Sequence, residues 1–557
     1  MNSLKKPVQE FTHFLLEHGV EDVIICPGSR NAPFIIDLVN RPGIKAYSVV
    51  DERSAAFFAL GIAQQKAKPA VVISTSGTAS LNFGPAIAEA FYQRIPLIAV
   101  TADRPEEWID QGEGQSIRQK NVFSNYCKGS YELGHDFDDR DRMWYHNRLL
   151  NEAFARCTTA PKGPVHLNFH LRESLYLTST SRSQSRFIST AKSEVKLKNE
   201  EWEMIADTLS NSKKVLVLAG QMDSDESLQK GLEEFASLNQ VVVFTETHSH
   251  LNSPYFICTI DRWIMAAGEK AKMLEEVDVL ITIGNNVISR KVKDYLRRSQ
   301  AQHWHIDEAV ELMDTYRILS KIIPLKPSVF FQSIKNNVSS SADFKSAVMS
   351  IHDISSKRGK QFIEDTEWSD LKAMAQVMNQ VPSSYQIQMG NSSIVRYIQL
   401  YDQKEGLTYF GNRGVSGIDG CSSTAVGAAF ASGKETLLIS GDIAFFYDSN
   451  AFWNNYVSPK LKIIVVNNGG GGIFRIIDGP ATTDSLEGFF ETSHKRTAES
   501  LCVMYSLPYK MANDELQLQE GLNWLFQADS CSVLEISTPT EKNDKILKNF
   551  FNAIKVE

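Results

Sequence analysis

Thr436-Leu437-Leu438-Ile439-Ser440-Gly441-Asp442, then Leu461-Lys462-Ile463-Ile464-Val465-Val466-Asn467-Asn468 and Gly469-Gly470-Gly471-Gly472, is the stretch that decides the fold. Each apolar run is short, rich in branched side chains and closed by Gly or Asn, which reads as a buried parallel strand. The pairs Gly441-Asp442 and Asn467-Asn468 then stand at the carboxyl ends of two strands, the edge where open α/β sheets bind ligands. An Asp carboxylate, an Asn carbonyl and a backbone carbonyl freed by the glycines are hard oxygen donors, suited to Mg²⁺ shared with a diphosphate. Amides following Asp442 would meet the diphosphate at a helix start. Taken alone, the same dipeptides also close loops in many α/β proteins.

Outward from this stretch, strand-like runs alternate with helical segments. Val23–Cys26, Ala46–Val50, Ala70–Ser74, Leu97–Val100 and Val165–Asn168 form a first set, separated by helical patterns such as Ser54–Lys66 and Ser80–Arg94. Val215–Leu218, Val241–Phe244, Val279–Thr282 and His303–Ile306 form a second. The alternation predicts α/β architecture with three consecutive doubly wound parallel-sheet domains. A Ser/Thr/Arg/Lys-rich stretch at about 178–198 reads as a linker and polar sequence at 336–346 as a second boundary. The expected domains are 1–180, 181–345 (linker and central unit) and 346–557, the last opening with a helix near Trp368.

The chain of 557 residues carries a net charge of −8, which disfavours nonspecific nucleic-acid binding. No apolar run reaches membrane-spanning length, and the start, an amphipathic pattern around Phe11, Phe14 and Leu15, is unlike a signal peptide. Seven scattered cysteines without Cys-x-x-Cys spacing fit a reducing cytoplasm. His248-Ser249-His250 and His303-Trp304-His305 lack a third ligand nearby, so neither reads as a metal site. No Gly-x-Gly-x-x-Gly opens a unit, which argues against a nicotinamide dehydrogenase.

Gly-Asp, 24 residues, then Asn-Asn resembles the thiamine-diphosphate motif of the decarboxylase and synthase superfamily. The resemblance implies pyrimidine-binding, central and diphosphate-binding domains in that order. It implies Asp442, Asn468 and the Gly470 carbonyl as ligands of Mg²⁺, with Mn²⁺ as an alternative ion. Gly441, Ile443, Ala444 and Ile473 would line the cofactor. Glu52, in Val49-Val50-Asp51-Glu52-Arg53, stands where the superfamily places the carboxylate that acts on the aminopyrimidine. An acidic helix N-terminus, favoured by the dipole, is the plainer reading of Asp51-Glu52. That Glu serves cofactor held by another subunit, so the resemblance implies a homodimer or dimer of dimers.

Further segments narrow the resemblance: Cys26-Pro27-Gly28-Ser29-Arg30, Thr75-Ser76-Gly77-Thr78-Ala79, Thr101-Ala102-Asp103-Arg104-Pro105, Gln115-Ser116-Ile117-Arg118-Gln119, Gly390-Asn391-Ser392 with Arg396, and Asn412-Arg413-Gly414-Val415-Ser416-Gly417-Ile418-Asp419-Gly420. Together they look like the MenD family, which makes 2-succinyl-5-enolpyruvyl-6-hydroxy-3-cyclohexene-1-carboxylate in menaquinone biosynthesis. The implied reaction is decarboxylation of 2-oxoglutarate and conjugate addition of the succinyl carbanion to isochorismate. Both substrates are dianions, which bidentate arginines hold best. By family position these are Arg30, Arg104, Arg396 and Arg413, with Ser29, Gln115 and Ser392. Ile418 would support the bent cofactor, and Phe474 would wall the substrate pocket beside Ile473. Ser289-Arg290-Lys291 departs from an expected Ser-Lys-Arg, and Gly471-Gly472 from a more usual Gly-Gln, which would loosen the pocket wall. Another thiamine-diphosphate decarboxylase or synthase, or an inactive scaffold that keeps the cofactor, are the competing readings.

Overall fold

A computed structural model describes residues 2–134, 139–191, 193–334, 338, 342–477 and 479–556. Part of the expected boundary at 336–346 lies outside the described residues. Three six-stranded sheets follow one another along the chain, each parallel throughout.

The first sheet runs, edge to edge, Lys45–Ser48, Asp22–Ile25, Ala70–Ser74, Leu97–Asp103, Val165–His170 and Ser130–Leu133. The third runs Thr408–Gly411, Gln386–Met389, Thr436–Gly441, Leu461–Asn467, Ser532–Ser537 and Tyr509–Ala512. Both have the order 2-1-3-4-6-5 when strands are counted within the unit. The middle sheet, Phe256–Ile257, Val241–Thr245, Val215–Ala219, Val279–Ile283, Gln302–Ile306 and Leu319–Ile323, has the order 3-2-1-4-5-6. The three units are therefore not equal repeats: the outer two share a topology and the middle one differs.

The strand interiors are apolar because helices cover both faces of a parallel sheet. Val71, Val72, Leu437, Leu438, Ile463 and Ile464 are wholly buried. The strand Gln386–Met389 is the exception by composition. Its buried Gln386 donates through Nε2 to Ser432 Oγ (2.9 Å) and Thr436 Oγ1 (2.8 Å), so the amide is satisfied inside the protein.

The outer units pack on each other through two helices, Glu52–Lys66 and Cys421–Ser432. A Cβ on Gly61 would lie 2.2 Å from the Thr424 carbonyl oxygen, and one on Gly427 2.1 Å from that of Phe58. Glycine on each helix lets the backbones touch, and this crossing fixes the first sheet against the third. The segment expected as a linker runs back along the first unit, where Ser183 N donates to Gln9 Oε1 and Ile188 N to Asn151 Oδ1. Helix Ser80–Arg94, expected as one piece, is broken into Thr78–Leu81 and Gly84–Gln93, with Pro85 in the first turn of the second. No described helix is long and apolar enough to cross a membrane.

Candidate active site

In the third sheet Gly441 pairs with Val466, so Asp442 and Asn467-Asn468 emerge side by side at the carboxyl edge. Asp442 opens the short helix Asp442–Tyr447. Its Oδ2 accepts the amides of Gly469 and Gly470, each at 3.0 Å, which ties the glycine loop to this carboxylate. Its Oδ1 accepts Ile443 N at 2.7 Å, so that amide serves the protein's own carboxylate.

Asn468 Nδ2 donates to Asp370 Oδ2 at 2.9 Å. Its Oδ1 is buried with no hydrogen-bond partner. A buried carbonyl oxygen left open is costly unless something meets it. Gly470, at φ +155°, packs against the Glu491 carbonyl with no room for a Cβ. An aspartate, an open amide oxygen and a glycine carbonyl in one place form an all-oxygen donor set that fits a divalent cation. Among the described residues no group of three His, Cys, Asp or Glu could hold a metal instead; His303 and His305, discounted as ligands, both bond Thr282 Oγ1.

The arginines fall into two groups. Arg396 follows the exposed Ser392 on the helix Ser393–Ile398. Arg413 Nη1 donates to Asn391 Oδ1 at 2.7 Å, while its Nε is buried and unpartnered. Burial lowers the Arg413 guanidinium from its ordinary value, and Arg396 adds to this against the attraction of Glu246. Arg30 and Arg104 lie at the carboxyl edge of the first sheet. Arg30 Nη1 bonds Leu171 O (2.9 Å) and Glu173 (3.0 Å), and Arg104 Nη2 bonds Gly114 O (2.7 Å), next to the exposed Gln115. Burial, then Arg104, lowers Arg30. Ser29 is exposed on the same rim.

Glu52 begins the helix Glu52–Lys66, capped by Asp51, whose carboxylate accepts Ser54 N at 3.1 Å. Burial raises the Glu52 carboxyl above the ordinary range, and Asp51 adds to it. Among the described residues no hydrogen bond or ion pair joins Glu52 to Asp442, Asn468 or Gly470, or Arg30 and Arg104 to Arg396 and Arg413. Ile418, Ile473 and Phe474 are each half-buried, and the Phe474 ring lies 5.7 Å from that of Phe490. At Gly472 an added Cβ would lie 2.8 Å from Asn468 Nδ2.

Several supporting residues carry no signal in the linear sequence. Glu89, on the helix Gly84–Gln93, accepts Gly414 N (2.6 Å) and Val415 N (2.8 Å) and so anchors the loop that presents Arg413 and Ile418. Asn286 of the middle unit donates to Arg413 O at 2.9 Å. The buried Glu246 accepts Ile288 N (3.1 Å), Ser289 N (3.0 Å) and Gln399 Nε2, and burial pushes it up to about 7. Ser289 caps the helix Arg290–Leu296, accepting Val292 N at 3.1 Å.

Residues 8–122 match the family model of the thiamine pyrophosphate enzyme N-terminal TPP-binding domain, and residues 176–389 that of the middle domain of thiamine pyrophosphate enzymes. The 2-succinyl-5-enolpyruvyl-6-hydroxy-3-cyclohexene-1-carboxylate synthase of Flavobacterium johnsoniae is 42% identical over 542 residues, covering 96% of each chain. Synthases of that name from Porphyromonas gingivalis, at 37% identity over 99% of this chain and 98% of the relative, and Bacteroides fragilis, at 34% over the whole of both, are also similar. With this likeness running from end to end and a donor set of the expected kind at the third sheet's edge, the chain belongs to the 2-succinyl-5-enolpyruvyl-6-hydroxy-3-cyclohexene-1-carboxylate synthase family of thiamine-diphosphate enzymes.

Proposed function

We propose that this protein decarboxylates 2-oxoglutarate and adds the resulting succinyl unit to isochorismate, releasing CO₂ and forming 2-succinyl-5-enolpyruvyl-6-hydroxy-3-cyclohexene-1-carboxylate for menaquinone biosynthesis. The observation that carries the reading is the open Asn468 Oδ1 beside Asp442 and the Gly470 turn, in a chain similar throughout to synthases of that name. Asp442, Asn468 and the Gly470 carbonyl would hold Mg²⁺ or Mn²⁺ together with the cofactor diphosphate. Bound thiamine diphosphate supplies the nucleophilic carbon and the electron sink that decarboxylation requires.

The protein's residues do the rest. Glu52 holds and moves the proton at the cofactor's aminopyrimidine ring, a task that suits a carboxyl whose proton affinity burial has raised. Ile418 would support the bent cofactor, and Gly441, Ile443, Ala444 and Ile473 would line it. Arg396, Arg413 and Ser392 on one rim, and Ser29, Arg30, Arg104 and Gln115 on the other, bind the substrate carboxylates. Phe474 helps to exclude water.

By the family resemblance the working form is a homodimer or dimer of dimers, with Glu52 of one chain serving cofactor held by the other. The seven cysteines, none in a disulfide, fit a cytoplasmic setting.

The test is loss of isochorismate absorbance with protein, Mg²⁺, thiamine diphosphate and 2-oxoglutarate, each omitted in turn. Loss that needs all four supports the synthase; loss independent of 2-oxoglutarate, or none, overturns it. Mixing Glu52→Gln with Asp442→Ala chains tests the shared site, since only a site built across two chains regains activity.

A further inference from the structure

His494 lies beyond the glycine loop, and no motif or family position drew attention to it. Its backbone N donates to Gly469 O at 2.9 Å, which brings the side chain against the metal-ligand cluster. The side chain is only 8% exposed. Nδ1 accepts Arg496 N at 3.1 Å, so the neutral ring carries its proton on Nε2. The ring is held edge-to-face against Phe446, centroids 5.4 Å apart.

That Nε2–H has no hydrogen-bond partner. The nearest carboxylate atom, Asp442 Oδ2, is 3.4 Å away and already accepts the amides of Gly469 and Gly470. Two shorter bonds occupy that oxygen, and the His494 contact does not make a third hydrogen bond to it. A buried donor, fixed in tautomer and orientation, thus lies unmet against the Asp442 carboxylate of the cluster read as a metal site. Leaving it unmet costs stability, so an acceptor is expected there.

We propose that His494 Nε2 donates a hydrogen bond to the diphosphate of the bound cofactor, making it an anchoring residue for that group. The proposal rests on the thiamine-diphosphate reading of this site. A ring N–H suits the position, since it gives an anion one directed donor.

Calorimetric titration of the full-length protein at saturating Mg²⁺ tests it, with thiamine diphosphate and, separately, inorganic pyrophosphate as ligands. Three variants divide the possibilities. His494→Phe keeps a ring against Phe446 but has no donor; His494→Gln keeps a donor at similar reach but no ring; His494→Ala has neither. The expected result is a loss of about tenfold or more in affinity for both ligands in the Phe and Ala variants. The Gln variant should stay near wild type. Equal affinity in all four proteins overturns the proposal, as does a Gln variant as weak as Ala with Phe unaffected, which would mean that the ring matters only for packing. Wild-type protein that binds no thiamine diphosphate would instead overturn the cofactor reading.

Discussion

Asn468 Nδ2 donates to Asp370 Oδ2 at 2.9 Å, and this one bond turns the amide so that Oδ1 is left open beside Asp442. Asp370 is itself buried and held by Thr538 Oγ1 at 2.5 Å, so the amide has little freedom to flip. Asp370 thereby sets which atom of the Asn468 amide is left open.

Replacing Asp370 by Ala should therefore weaken Mg²⁺ binding by about 10- to 100-fold, the usual effect of losing a group that orients a ligand. Mg²⁺ titration of cofactor binding reads this directly. Chelation of the metal should abolish cofactor binding in wild type and re-addition should restore it.

Gly61→Ala and Gly427→Ala should each destabilise the protein by about 1–3 kcal/mol, because the new methyl meets the backbone of the facing helix rather than a movable side chain. Scanning calorimetry should show lowered transitions for both. Gly84→Ala is the control, since nothing lies within 4 Å of its added Cβ.

Glu246 should make stability fall as pH rises. Burial lifts its carboxyl from 4.5 to about 7, so the folded state binds the proton more tightly than the unfolded chain does. The associated stability is fully present below about pH 4.5 and is lost as pH climbs through about 7, by on the order of 3 kcal/mol. Denaturant titrations at pH 5.5 and 8.5 should show this decline, and Glu246→Gln should flatten it.

Glu52→Gln should fold and melt like wild type while losing about 10²-fold or more of turnover. Steady-state rates with circular dichroism on the same samples check both halves. Near-normal turnover would remove Glu52 from the proton-handling role.

Much of the molecule was legible in the linear sequence where apolar runs end in Gly or Asn. Thr436–Gly441 and Leu461–Asn467 stand within one residue of the expected strands, and Asp442 and Asn468 are adjacent at their ends. Strands with polar residues inside were not legible. Gln386-Ile387-Gln388-Met389 lacks an apolar run, yet it lies inside the sheet, with Ser432 and Thr436 satisfying Gln386. Tyr509–Ala512 and Ser130–Leu133 are strands at sheet edges and only partly buried, where the hydrophobic pattern is diluted.

The sequence by itself determined the α/β class, the chemistry of the ligand set and the family, because these depend on residue type and on spacing along the chain. Only the tertiary structure decided that the outer units share a strand order which the middle one lacks. It alone showed that Asp370 turns Asn468, that Glu89 holds the Arg413 loop, and that His494 faces the Asp442 cluster. Those relationships join residues far apart in the chain, and their energies come from burial and hydrogen-bond geometry, which exist only once the chain has closed on itself.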